Sequence, residues 1–208
     1  MSIYLLKSRF QNLLCPLVVT LHARGVNANQ VTLAACAISV VLGLSLYAFN
    51  APRWVFFLIP LWFFIRMAFN AIDGMLAREF HQQSTLGAYL NELTDVLSDA
   101  ALYLPFALVT PFSPFWVGVV IVLAGLSEFA GALGATVGGS RHYEGPMGKS
   151  DRAFVFGTLA LAVAIWPDLP SWLDWLMPLL ALLIGYTILN RVRAGLHEVA
   201  QKQPKEES

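Results

Sequence analysis

Asn70-Ala71-Ile72-Asp73-Gly74-Met75-Leu76-Ala77-Arg78, then eight residues, then Gly87, Asn91 and Asp95, is the stretch whose reading decides the fold. Its polar residues recur at three- and four-residue intervals within segments that are otherwise apolar. On a helix such intervals share a face. Ionisable groups at membrane depth are costly, so they mark a working site by default.

Outward from that stretch the chain reads as an all-α integral membrane protein. Apolar residues make up 57% of its 208 residues and charged residues only 12%, about half the share in soluble domains. A water-facing surface cannot be built from so few charges, and a net charge of zero gives no global field for nucleic acid. Six spans of suitable length and apolarity are predicted: Val31–Phe49, Trp54–Ala77, Leu86–Val109, Phe115–Val137, a short Ala153–Trp166, and Ser171–Asn190. Ile3, Leu5, Leu6, Phe10, Leu13, Leu14, Leu17 and Val18 recur at roughly helical spacing, and with Lys7 and Arg9 between them they predict an amphipathic N-terminal helix lying in the interface. The N-terminal stretch lacks the pattern of a cleaved signal peptide. Residues 1–200 are expected to form the membrane domain and residues 201–208 a charged, disordered tail.

Eleven of the thirteen Lys and Arg residues precede span one, follow span six, or lie between spans two and three or four and five. The bias of basic residues sets orientation, so both termini and the polar stretch are expected on the cytoplasmic side. Trp54, Trp116, Trp166, Trp172 and Trp175 fall at the opposite interface, as an aromatic belt. Cys15 and Cys36 have no metal-type spacing and read as packing residues.

Asn70, Asp73 and Ala77 share a face of span two. Gly87, Asn91 and Asp95 share one of span three, which returns beside it after a short loop. The two faces predict a polar pocket at headgroup depth. Its oxygen ligands suit a hard cation such as Mg2+ or Mn2+. Gly74 and Gly87 leave room for close approach to the backbone, and Arg78 suits a phosphate contact. A cation on a diphosphate with a carboxylate beside an attacking hydroxyl is the equipment of phosphoryl-type transfer.

The pattern resembles the signature of the CDP-alcohol phosphatidyltransferases, D-x2-D-G-x2-A-R-x8-G-x3-D-x3-D. All spacings are kept and six of eight fixed residues match: Asp73, Gly74, Ala77, Arg78, Gly87 and Asp95. Asn70 and Asn91 replace the first and third aspartates, as in a bacterial subgroup that this chain resembles. Asn29-Gln30-Val31-Thr32 is similar to the family's start of span one. The resemblance implies a bacterial inner-membrane location, a homodimer, and transfer of a phosphatidyl group from a CDP-linked lipid such as CDP-diacylglycerol to an alcohol, releasing CMP, in phospholipid biosynthesis. It implies Asp73, Asp95, Asn70 and Asn91 as metal ligands, with Asp95 also the catalytic base. Asn70, Asp73, Gly74, Ala77, Arg78 and Gly87 are implied to line the nucleotide site.

Two asparagines in place of aspartates remove charge, so weaker metal binding is expected, with one cation in place of two an open reading. Asp99 lies ~40° further round the helix from Asp95 and is the one further carboxylate that could enter the set. Glu92 reads as a structural partner. Arg66 and Glu128 read as an ion pair or hydrogen-bonded groups that fix helix packing, or else as groups that shape the site's field or a dimer contact. Arg141, Lys149 and Arg152 mark either cytoplasmic topology or a pocket for an anionic or phosphorylated acceptor. The rival functions are a catalytically impaired homologue that binds CDP-lipid or assists another lipid enzyme, and a transporter. Lack of an internal repeat and the one-sided site disfavour the transporter.

Overall fold

The computed structural model describes residues 3–202, with side chains from residue 10 onward. All regular structure among them is helical: α1 (Ile3–Ala23), α2 (Ala28–Ala48), α3 (Leu58–Glu79), α4 (Thr85–Tyr103), α5 (Pro114–Thr136), α6 (Lys149–Ile165) and α7 (Leu176–Lys202). Short 3-10 turns over Arg53–Phe57, Leu104–Leu108 and Ser171–Trp175 border α3, α4 and α7. The apolar-interface residues among 3–9 and the tail residues 203–208 lie outside the described side chains.

Local chemistry sets the boundaries. Asn27 accepts from the Gln30 N–H at 2.9 Å while the Gln30 side chain accepts from the Asn27 N–H at 3.0 Å. This reciprocal capping box starts α2 a turn before the predicted span. The Ser84 hydroxyl accepts from the Gly87 N–H at 2.9 Å and caps α4. That helix stops six residues before the expected Val109, because Pro105 cannot donate to an α-helical ladder and the chain tightens into a 3-10 turn. Asp151 accepts from the Gly148 N–H at 2.9 Å, which starts α6 at Lys149. The last helix runs on through Lys202, so it includes the first two residues expected in the tail.

Among the described residues four helices are long and apolar enough to cross a bilayer: Ala28–Ala48, Arg53–Glu79, Pro114–Thr136 and Ser171–Lys202. The predicted third and fifth spans fall short of that measure. The first carries Glu92, Asp95 and Asp99, and α6 has only 17 residues. Both pack on the long helices: α4 against α2 and α5, and α6 against α3 and the 3-10 turn Arg53–Phe57 that leads into it. The outward faces carry Leu33, Val41, Val122, Phe129, Leu182 and Leu189, a surface suited to lipid.

Apolar burial drives helix association poorly where lipid is the alternative environment, so close packing must do more. At Gly43 any side chain would run into the Ala101 carbonyl, so a bare backbone is what lets α2 touch α4. Most of the packed core is remote from the polar motif. There Tyr103 stacks on Phe156 at 3.8 Å, and Phe56 and Phe106 meet edge to face. A smaller cluster joins Val18 of α1 to Val31 of α2 and to Ile72, Met75 and Leu76 of α3. It holds the N-terminal helix beside the motif, while Leu13 and Val19 stay exposed. Both cysteines are free, with Cys36 buried.

Candidate active site

The motif helices do converge. Asp73, Gly74 and Ala77 of α3 face Gly87 and Asn91 of α4 across a cleft of about 940 Å³, closed on its other sides by Ala28, Asn29 and Thr32 of α2 and by the end of α5. A second cleft of about 390 Å³ adjoins it, lined by Asn70, Asn91, Asp95, Arg141, Lys149 and Arg191 among others. Asn91 and Arg141 line both. The signature therefore straddles two compartments, with Asp73 in the larger and Asp95 in the smaller. A third, apolar groove of about 440 Å³ leads from Asn70, Lys149 and Ser150 between α3 and α6 down to Leu161.

The two conserved-spacing acids have different surroundings. Asp73 is 8% exposed and its Oδ2 accepts the Thr32 hydroxyl at 2.7 Å. Among the described residues no cation pairs with it. Asp95 is held twice: Arg66 lies 3.1 Å from Oδ1 and Lys149 2.5 Å from Oδ2. The room beside the motif glycines is taken by the protein itself. A side chain on Gly74 would press on the Arg78 guanidinium, and one on Gly87 would meet Asn29 and Ser84. Arg78 is exposed and lies over Gly74, at the margin of the larger cleft.

Arg66 and Glu128 do not pair with each other, as one reading had it. They are separate links in a buried chain of charges. Arg66 bridges Asp95 to Asp99, Asp99 also takes Arg152 at 3.3 Å, and Arg152 takes Glu128 at 2.9 Å. Glu128 further receives Arg141 at 3.2 Å and Arg191 at 3.4 Å. Buried ionic groups must be paired because each lone charge is expensive, so this chain fixes α3, α4, α5, α6 and α7 against one another. Asp99 is thereby committed to two arginines and to the Tyr103 hydroxyl at 3.3 Å and does not enter the ligand set. Glu92 pairs with Arg141, as a structural partner should.

Arg152 corrects an expectation. It does not face an acceptor pocket: it is 1% exposed, and its guanidinium is spent on Glu128, Asp99, the Ser127 hydroxyl and the Met147 carbonyl. The third cation of the smaller cleft, beside Arg141 and Lys149, is Arg191. In the sequence Arg191 marks only the cytoplasmic end of span six. An unpaired Glu128 deep in an apolar span was the signal that could have found it.

The loop between α5 and α6 carries Arg141 into the site and is pinned to α7. Glu198 accepts from the Ser140 N–H and hydroxyl, each at 2.8 Å. His142 lies between Glu144 at 3.1 Å and Glu198 at 3.0 Å, although its Nε2 makes no aligned hydrogen bond. Burial pushes the Glu144 carboxyl up, but hydrogen bonds from its own N–H, His142 and the Tyr143 N–H outweigh it and hold the group below its usual range.

No three His, Cys, Asp or Glu side chains gather as a metal site among the described residues. A hard cation in the larger cleft would find one carboxylate free of protein cations, Asp73, with Asn91 in the same lining, while Asn70 lines the smaller cleft. An ion at Asp95 would have to displace Arg66 or Lys149, which occupy its two oxygens.

Fold and site define a helical membrane protein with a charged double cleft at one end of its bundle. The chain belongs to the CDP-alcohol phosphatidyltransferase family, whose model matches residues 26–187. It is 46% identical over 196 residues to the inner membrane protein YnbA of Escherichia coli K12, covering 94% of this chain and 97% of that one. Phosphatidylinositol phosphate synthase (PgsA1) of Mycobacterium tuberculosis, solved with CDP-DAG bound, superposes with a TM-score of 0.72 at 23% identity over 93% of this chain and 96% of its own. The same enzyme with manganese and citrate gives 0.72 at 22% identity over 93% and 91%. The two share this chain's fold. Membership in the family supports the general reaction of CDP-alcohol phosphatidyltransfer in phospholipid synthesis.

Proposed function

We propose that this protein transfers a phosphatidyl group from a CDP-linked lipid such as CDP-diacylglycerol to an alcohol acceptor and releases CMP. The convergence of the signature on two adjoining clefts carries this reading. The larger cleft, with Asp73, Gly74, Ala77 and Gly87, is assigned to the CDP group. The smaller one, with Asp95 and its cations, is assigned to the acceptor, and the apolar groove below Asn70 to an acyl chain. Arg141, Lys149 and Arg191 line the smaller cleft and favour an anionic or phosphorylated alcohol.

In this reading the acceptor hydroxyl attacks the lipid-bearing phosphorus, and a new P–O bond forms as the bridge to CMP breaks. The bridging electrons leave with CMP and the hydroxyl proton passes to Asp95. Lys149 must withdraw from Oδ2 for Asp95 to receive it. Arg66 stays on Oδ1 and fixes the carboxylate's direction. A divalent cation held by Asp73, Asn70 and Asn91 would neutralise diphosphate charge.

We place α4 and α6 as the third and fifth of six membrane spans, with both termini and the clefts cytoplasmic, and the protein in the bacterial inner membrane as a homodimer. Reporter fusions at the four predicted cytoplasmic segments test the orientation. The test of the activity is CMP release from radiolabelled CDP-diacylglycerol by purified protein, with a panel of alcohols. Release that depends on one class of alcohol supports the reading. No release with any alcohol, despite CDP-lipid binding, favours the impaired homologue, for which the double engagement of Asp95 speaks. Thr32→Val, which removes the hydroxyl orienting Asp73, is expected to lower Mn2+ affinity or kcat by about 10- to 100-fold, read by metal titration beside CMP release.

A further inference from the structure

Eleven charged side chains line the two clefts or form the network beneath them. Six are acids: Asp73, Glu92, Asp95, Asp99, Glu128 and Asp151. Five are bases: Arg66, Arg141, Lys149, Arg152 and Arg191. Four of the acids have at least one protein cation within ion-pair distance. Among the described residues Asp73 has none, and Asp151 is engaged by the Gly148 N–H. Five of the six acidic charges are offset formally before any ion arrives.

Lys149 is the member of this set that could have been elsewhere. It is the first residue of α6, 30% of its side chain is exposed, and the smaller cleft and the apolar groove both open beside it. Its ammonium nevertheless sits on Asp95 Oδ2, next to Asn70 in the lining of both cavities. Asp95 is the acid at which Asn70 and Asn91 supply neutral amides and no further negative charge. An ammonium needs one carboxylate and tolerates amide neighbours. A divalent ion at the same point would meet the ammonium of Lys149 on one oxygen of Asp95 and the guanidinium of Arg66, itself shared with Asp99, on the other, and like charges this close repel strongly outside bulk water.

We propose that Lys149 is the site's resident cation at Asp95, and that the centre takes up a single divalent ion, at Asp73. The assignment rests on the transferase reading for its purpose: Lys149 then holds Asp95 in the resting site and, on leaving Oδ2, keeps its positive charge in the cleft assigned to the acceptor. The two asparagines and the lysine form one compensated set. Restoring the carboxylates alone leaves Lys149 opposing a second ion, and removing Lys149 as well admits it.

The test counts manganese(II) bound to the purified full-length protein by electron paramagnetic resonance, with the metal alone and with CDP added. Wild type is expected to bind one ion per chain. In the Asn70→Asp/Asn91→Asp background, Lys149→Gln is expected to tighten the second ion by at least ~100-fold over Lys149→Arg, which keeps the charge. Thermal unfolding of each variant confirms that a folded chain is being compared. Two ions in wild type, none in wild type, or equal second-ion affinity for the Gln and Arg variants each overturns the proposal. CMP release is scored separately: one-ion binding without CMP release defeats the transferase reading and leaves Lys149 in place, and CMP release with two ions does the reverse.

Discussion

Asp73→Asn is expected to lower CMP release by about 10³-fold, the scale set by losing one preorganised electrostatic group or metal ligand at a reacting phosphate. Asp73 is the one acid of the larger cleft without a protein cation among the described residues, and its position is fixed by Thr32. Removing its charge leaves Glu92, which is paired with Arg141, as the one carboxylate lining the larger cleft. The change is isosteric and breaks no ion pair, so the melting temperature should hold while activity and Mn2+ binding fall together. Activity above a tenth of wild type would mean that the charge at Asp73 does not serve the reaction.

Arg152→Met is expected to destabilise the fold by about 3–5 kcal/mol, the usual cost of leaving buried charge uncompensated. Methionine keeps an unbranched apolar stem and removes the guanidinium and its charge, so Glu128 and Asp99 each lose a buried partner. Glu128 retains Arg141 and Arg191, and Asp99 retains Arg66, which places the expected loss toward the lower end of that range. Unfolding in detergent measures it. The ratio of acceptor KM to CDP-lipid KM should stay near wild type, because Arg152 touches neither cleft. An unchanged melting point with a raised acceptor KM alone would place this arginine at the acceptor after all.

Much of this was legible in the chain. Helical periodicity put Asp73 and Asp95 on facing surfaces, and the short loop after Arg78 brought those surfaces together. The cap at Ser84, the stop at Pro105 and the α6 start at Gly148 are local effects that apolar run lengths do not register, so the span ends shifted. Pairing among buried charges was harder to read. Arg66, Asp99, Glu128, Arg152 and Arg191 lie on five helices, and which of them meet depends on crossing geometry that no spacing encodes. Arg152 consequently read as a ligand contact and is a packing cation. Lys149 read as an acceptor cation and is found on Asp95. Thr32 was visible only as part of a family resemblance, and its bond to Asp73 needed coordinates.

The most direct measurement is an experimental structure of the protein with CDP-diacylglycerol and Mn2+. The account predicts the cytidine and diphosphate in the larger cleft beside Asp73 and Gly74, one metal ion on Asp73, and the lipid-bearing phosphate turned toward Asp95. A nucleotide bound away from Asp73, or Asp73 and Asp95 on opposite sides of the bundle from the diphosphate, would contradict it.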